Sequence, residues 1–173
     1  MTEEYYPGLQ YDCLCVGPPG SGKTLLIRTL QSRGSVDYNT SSGPTCGTSI
    51  KRINLTDIRP KTICEVGGGM APLWNHFYRG VKKLMFVVDT SNLCQISAAG
   101  VLLYSLLSEP QLRNSKILIV LAKMDASYRQ MRNEALLMLQ MKRLKKEVAQ
   151  DIAIIQASSY SKEGIDEIKK WLQ

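Results

Sequence analysis

The sequence predicts an α/β domain in which helices cover both faces of a mostly parallel, six-stranded sheet. Two observations lead to this fold class. Short and almost uninterrupted apolar runs alternate along the chain with helical patterns, and such runs are typical of strands that are buried on both faces. A sheet of this kind binds its ligand at the carboxyl ends of its strands, so the loops that follow strands are the places to search for a site.

Apolar runs give the strands in order. Five are predicted to be buried strands, at 13–16, 63–66, 84–88, 117–121 and 152–155. A sixth run, 49–55, is more polar, which favours a strand at the edge of the sheet. The polar stretch 33–44 is rich in Ser, Gly, Asn and Thr and is predicted to be a mobile loop.

Helical periodicity lies between the strands. Helices are predicted at 23–32, 72–78, 93–107, 133–148 and 165–172. Three of them have an apolar face that can pack on the sheet. The residues of these faces are Ile96, Gly100, Leu103 and Leu107; Leu137, Met141, Leu144 and Val148; and Ile165, Ile168 and Leu172.

Length and composition limit what the chain can be. Its 173 residues, 44% of them hydrophobic, suffice for one globular core, so a single domain over 1–173 is expected. No apolar run is long enough to cross a bilayer, and the start of the chain is acidic and aromatic rather than signal-like, which predicts a cytoplasmic protein. The net charge of +7 does not by itself choose between nucleic acid, anionic lipid and a nucleotide phosphate as partner.

Five cysteines and a single histidine restrict the chemistry further. The cysteines include no C-x-x-C pair, so neither a disulfide framework nor a zinc site is indicated, and most of them are expected to be buried thiols in strands. One histidine gives no material for a Ser/His/Asp arrangement.

A phosphate-binding loop is the strongest signal in the chain. The segment 17–24 reads Gly-Pro-Pro-Gly-Ser-Gly-Lys-Thr, which fits G-x-x-x-x-G-K-[ST], and it lies between a predicted strand and a predicted helix, as a P-loop requires. The predicted ligand residues are Gly17, Gly20, Ser21, Gly22, Lys23 and Thr24. The glycines let backbone N–H groups face the phosphates, Lys23 reaches the β- and γ-phosphates, and Thr24 binds Mg²⁺.

Two loops at the ends of later strands resemble the base-reading loops of small GTPases. Ala-Lys-Met-Asp at 122–125 resembles N-K-x-D, in which the carboxylate, here Asp125, accepts hydrogen bonds from guanine N1 and N2. The stem of Lys123 is expected to pack over the base. Ser-Ser-Tyr at 158–160 stands where those proteins have S-A-K, so the backbone N–H of Ser159 is expected to meet guanine O6.

Three further segments resemble the ADP-ribosylation factor family of small GTPases. Pro-Thr-Cys-Gly at 44–47 is similar to P-T-x-G of switch I, Glu-Val-Gly-Gly at 65–68 to D-V-G-G at the start of switch II, and 72–78 to the helix that follows. The resemblance implies that Thr45 binds Mg²⁺ and senses the γ-phosphate, and that the Gly68 amide meets the same phosphate. It also implies a P-loop small GTPase domain in which both loops relax when that phosphate is lost.

Several positions depart from the family pattern. Gly69 replaces the Gln that orients the attacking water, so no catalytic side chain is assigned and slow intrinsic hydrolysis is expected. Glu65 replaces Asp and extends the carboxylate towards the Mg²⁺ water shell, while Ala122 replaces an Asn that ties the base loop to the P-loop. Trp74, in the helix of switch II, is expected to pack in the core and also to contact effectors.

The resemblance implies a GTP/GDP switch with Mg²⁺ that recruits effectors and regulators through its switch loops in membrane or ciliary trafficking. A monomer that binds no DNA or RNA is expected. Because Thr2 follows Met1, direct N-myristoyl anchoring is not expected, and recruitment to membranes or the cilium base would depend on partners. Two alternatives stay open: a P-loop kinase or ATPase, and a pseudo-GTPase interaction module with weak or no nucleotide turnover.

Overall fold

Six strands form one sheet in the computed structural model, which describes residues 10–31, 36–37, 39–55, 58–127 and 131–173. The strands are β1 Cys13–Val16, β2 Thr48–Leu55, β3 Ile58–Val66, β4 Lys83–Asp89, β5 Lys116–Ala122 and β6 Asp151–Gln156. Their order across the sheet is β2-β3-β1-β4-β5-β6, and only the β2–β3 pairing is antiparallel. The predicted fold class and the predicted edge strand are both confirmed.

Five α-helices accompany the described part of the sheet. They are α1 Lys23–Leu30, α2 Leu93–Leu107, α3 Met131–Met138, α4 Met141–Glu147 and α5 Ile165–Leu172. A 3-10 segment, Gly68–Phe77, follows β3 and is kinked at Met70. None of the described helices combines the length and apolar composition that crossing a membrane would require.

Two apolar clusters lie on opposite faces of the sheet. Because side chains alternate along a strand, Leu14 and Val16 of β1 face the cluster that contains α2, while Cys13 and Cys15 face the one that contains α1 and α5. The predicted faces of α2 and α5 are confirmed, since their members are all buried. Cys13, Cys15 and Cys64 are buried free thiols in strands, and burial raises the pKa of Cys13 to about 12.

One predicted helix is wrong. The pattern over 133–148 predicts a single helix with Leu137 on its core face, but α3 ends at Met138 and α4 begins at Met141, and Leu137 is 78% exposed. Gln140 between them has φ 51°, a left-handed conformation that breaks the helix. The break lets Leu139 and Met141, only two residues apart, both enter the core.

Three other predictions concern residues beyond those that the structure describes. The helix predicted at 23–32 ends at Leu30, and Ser32 lies outside the described residues. So do Thr2, on which the prediction about N-myristoylation rests, and parts of the predicted loop 33–44.

Candidate functional site

A cleft of about 490 Å³ opens at the carboxyl end of the parallel strands, where the fold class predicts a site. Its walls come from the P-loop, from 40–45, from the start of switch II, from the base loop and from 159–160. The predicted site residues in its lining are Gly20, Gly22, Lys23, Thr24, Thr45, Gly68, Lys123, Asp125 and Ser159. Gly69 and Ala122 line it as well.

The P-loop connects β1 to α1 and is folded tightly. Gly20 and Gly22 have φ of 72° and 96°, which side-chain-bearing residues rarely adopt, so the loop can turn immediately before the helix. Two predicted members lie behind the lining: Gly17 packs against the backbone of β4, and Ser21 is fully buried. These two support the loop rather than border the cleft.

Lys23 is a buried cation at the base of the cleft. It is 5% exposed, and its Nζ donates hydrogen bonds to the carbonyl oxygens of Gly17 and Pro18, both at 2.9 Å. Among the described residues no carboxylate lies within ion-pair distance of this ammonium group, and burial lowers the pKa of Lys23. An ammonium group held in this way is suited to a polyanion, because an anion would offset the cost of burying its charge.

Three oxygen atoms meet beside the P-loop. Thr24 Oγ1 lies 3.0 Å from Thr45 Oγ1, and both hydroxyls donate to Oε1 of Glu65, at 2.5 and 3.1 Å. Neighbouring ligands of an octahedral Mg²⁺ ion lie about 2.9 Å apart, given metal–oxygen distances of about 2.0–2.1 Å. The hydroxyl pair therefore has the spacing and the hard-oxygen chemistry for Mg²⁺, with the buried Glu65 carboxylate beside it.

A metal site made by protein carboxylates or imidazoles alone is not found here. In the part of the chain that the structure describes, no three His, Cys, Asp or Glu residues are grouped in a way that could hold a metal ion. An ion at Thr24 and Thr45 would take its other ligands from phosphate and water, as Mg²⁺ commonly does.

Asp125 also lines the cleft and is held by a serine. Ser158 Oγ donates to Asp125 Oδ1 at 2.6 Å, and Ser158 is buried while Asp125 is exposed. Ser159 follows in the same loop, and Tyr160 OH donates to the carbonyl of Thr40 at 3.4 Å. The sequence does not reveal this role of Ser158, and its position next to Ser159 is the one signal for it.

Lys123 is fixed by an ion pair that the sequence does not reveal. Its Nζ lies 2.6 Å from Oδ2 of Asp89, the last residue of β4, and its stem passes close to Gly22 of the P-loop. Because β4 and β5 are paired in register as far as Asp89 and Ala122, their ends bring the two side chains together. The stem of Lys123 therefore lies beside the P-loop at Gly22.

Trp74 has only one of its two predicted roles. It is 2% exposed, packs edge-on against Phe86 and donates Nε1–H to the carbonyl of Gly67 at 3.2 Å. The prediction that it contacts effectors is wrong, because this buried ring offers no surface to a partner. It joins the switch II segment to the core instead.

Fold and site together define a P-loop nucleotide-binding protein of the small GTPase class. Family comparison gives the narrower assignment: residues 6–173 match the model of the ADP-ribosylation factor family, and the chain belongs to that family. It is 35% identical over 170 residues to human ADP-ribosylation factor-like protein 16, a match that covers 93% of this chain and 84% of that protein.

Solved structures agree on the fold. The small GTPase Arl6 (BBS3) from Trypanosoma brucei, determined with the bound nucleotide analogue GppNp, superposes with a TM-score of 0.77 at 20% identity, covering 93% of this chain and 94% of that one. The structure of the mammalian SRP receptor superposes with a TM-score of 0.73 at 19% identity, covering 92% and 97%. At these identities the similarity concerns the fold.

Proposed function

We propose that this chain is a guanine-nucleotide switch that binds GTP or GDP with Mg²⁺ and recruits protein partners according to the nucleotide. One observation carries the proposal: a single cleft contains the Lys23 ammonium, the Thr24 and Thr45 hydroxyl pair, and the Asp125 carboxylate held by Ser158. These groups suit a polyphosphate, a hard cation and the N1 and N2 donors of guanine, respectively.

Mg²⁺ would be held by Thr24 and Thr45, and it would neutralise charge on the phosphates. Glu65 adds a negative charge next to both hydroxyls, which favours a divalent cation there. Thr45 belongs to switch I. Its hydroxyl would therefore couple the conformation of that loop to the presence or absence of the γ-phosphate.

Hydrolysis is proposed to be slow without a partner. Gly69 borders the cleft but has no side chain to orient water, and no other side chain of the described lining is assigned that role. An activating protein would therefore supply the missing group, or the chain would act as a binding module with little turnover.

Partner recruitment is proposed to use the surface around the switches. Ile50, on β2 between the two switches, is 42% exposed, and Leu73, in switch II, is 48% exposed. Apolar side chains in segments that respond to the nucleotide can give a partner different affinities for the two states. A cytoplasmic location, with recruitment to membranes or to the cilium base by such partners, completes the proposal.

Competition binding tests the nucleotide assignment. A fluorescent GDP analogue bound to the purified chain should be displaced by GTP and GDP but about a hundredfold less well by ATP, because adenine leaves Asp125 unpaired. Removing Mg²⁺ with EDTA should weaken GTP binding. Preference for ATP would support the kinase or ATPase alternative, and failure to bind either nucleotide would support the pseudo-GTPase module. If GTP binds, single-turnover assays of the bound GTP measure the proposed slow hydrolysis.

A matched pair of glycine variants tests the contact between switch II and the P-loop. A Cβ added at Gly68 would lie 2.3 Å from the backbone nitrogen of Pro19, whereas one at Gly69 meets nothing within 4 Å. Gly68→Ala should therefore displace switch II and lower the affinity for GTP about tenfold, with less effect on GDP. Gly69→Ala should bind GTP within about twofold of the unaltered protein. Titration calorimetry measures both, and equal affinities would contradict the predicted role of Gly68.

A further inference from the structure

The base loop contains a residue in an unfavourable backbone conformation. Lys123 has φ 61° and ψ 36°, in the left-handed region that residues with a side chain seldom occupy. This conformation turns the chain out of β5 so that Asp125 reaches the cleft. A residue of this kind keeps its conformation only where its surroundings hold it.

Two hydroxyl groups hold the peptide groups on either side of Lys123. Thr90, directly after β4 and fully buried, donates its N–H to the carbonyl of Ala122 at 3.1 Å, and its Oγ1 lies 2.7 Å from the same carbonyl oxygen. Ser127 Oγ lies 3.0 Å from the carbonyl oxygen of Lys123. The two hydroxyl oxygens lie 2.7 Å apart, which places them in one hydrogen-bonded chain.

The protons of the Thr90 and Ser127 hydroxyls can be counted. Each hydroxyl has one proton. The oxygen acceptors are the carbonyls of Ala122 and Lys123 and the other hydroxyl, and Met124 Sδ, 3.5 Å from Thr90 Oγ1, is a weaker acceptor. Thr90 can donate to Ala122 while Ser127 donates to Thr90, or Thr90 can donate to Ser127 while Ser127 donates to Lys123. In both arrangements the two hydroxyls stay bonded to each other, and the Thr90 N–H stays on the Ala122 carbonyl.

The Thr90 and Ser127 hydroxyls lie next to Ala122, which has no hydrogen-bonding side chain. In the small GTPase pattern an Asn at this position ties the base loop to the P-loop, and Ala122 provides no such bond. We propose that Thr90, together with Ser127, is a positioning residue that holds Lys123 to Asp125 in the base-reading conformation from the side of β4, in a loop that lacks the amide.

The consequence concerns affinity for the base, and it rests on the proposed guanine-nucleotide site. A loop that is already in its binding conformation does not have to be ordered when the nucleotide arrives, so affinity rises in proportion to the population of that conformation. Thr90 bonds to the base loop, and the base is common to GDP and GTP, so its replacement should affect both nucleotides to the same extent.

The test compares Thr90→Val, which removes the hydroxyl at nearly constant volume, with Thr90→Ser, which keeps it. Thr90→Val should weaken binding of GDP and of GTP about tenfold each, and Thr90→Ser should stay within about twofold of the unaltered protein. Ser127→Ala, at a partly exposed position, provides a second variant in case Thr90→Val folds poorly, and its expected loss of nucleotide affinity is smaller. Melting curves without nucleotide monitor folding.

A double-mutant cycle separates positioning from general stability. If Thr90 acts through the base loop, Thr90→Val should cost little when Asp125→Ala has already removed the base-reading carboxylate. An equal loss in both backgrounds, or unchanged affinity in both Thr90→Val and Ser127→Ala, would overturn the inference. Failure of the unaltered protein to bind GDP or GTP would instead overturn the proposed function, so the two failures are distinguishable.

Discussion

Replacing Lys23 with Met is expected to weaken GTP binding about a thousandfold, or about 4 kcal/mol. Met keeps most of the apolar stem but removes a buried ammonium group for which the described residues offer no carboxylate at ion-pair distance. The phosphates would lose a charge-assisted contact in a site where water screens poorly. Titration calorimetry with GTP and Mg²⁺ measures the change.

Lys170→Met provides the control for this prediction. Lys170 is exposed on α5, and its replacement alters the net charge of the chain by the same amount. It should change the affinity for GTP by less than about twofold, because exposed charges far from a site are screened by salt. Similar losses in both variants would show that net charge, rather than the P-loop cation, attracts the nucleotide.

The sequence predicted the parts of the fold whose cause is local. Leu93 to Leu107 repeats apolar residues at helical spacing, and the predicted bounds of α2 are those observed. The run at Cys13 to Val16 is apolar throughout because β1 lies between two neighbouring strands and is covered on both faces. In both elements the pattern of burial can be read directly from the order of the residues.

The failed prediction at 133–148 has a non-local cause. Leu137, Met141 and Leu144 keep helical spacing, so periodicity alone favours one continuous helix. What breaks it is the need to bury both Leu139 and Met141 against the sheet and α2, which the left-handed Gln140 makes possible. Tertiary packing overrides local periodicity here, and the amino-acid sequence alone does not reveal that packing.

Motifs indicated residues that line the cleft, but not the residues that hold them in place. Lys23, Thr45 and Asp125 were assigned from motifs, and the structure brings them into one cleft. Asp89 and Thr90 were not assigned, because an acid and a hydroxyl after a strand fit many ordinary turns. Their roles depend on the register of β4 with β5, which sets which residues meet at the end of the sheet.

Asp125→Asn is expected to change the base preference of the site from guanine towards xanthine. Guanine presents two donors, N1–H and N2–H, to the carboxylate, whereas an amide offers one acceptor and one donor. Affinity for GTP should fall about a hundredfold, because a charge-assisted pair is lost and one donor faces another. Xanthosine triphosphate, which presents N1–H and the O2 acceptor, should bind at least about tenfold better than to the unaltered protein.

Competition binding measures both changes. GTP and xanthosine triphosphate compete with a fluorescent GDP analogue on the unaltered protein, and with the xanthosine counterpart of that analogue on the variant. Ser158 can still contact the amide, since its hydroxyl accepts as well as donates, so the loop should keep its shape. Asp166→Asn, on the exposed first turn of α5, removes the same charge away from the cleft and should leave both affinities unchanged. A loss of GTP binding without any gain for the xanthine nucleotide would mean that Asp125 supports the loop rather than reads the base.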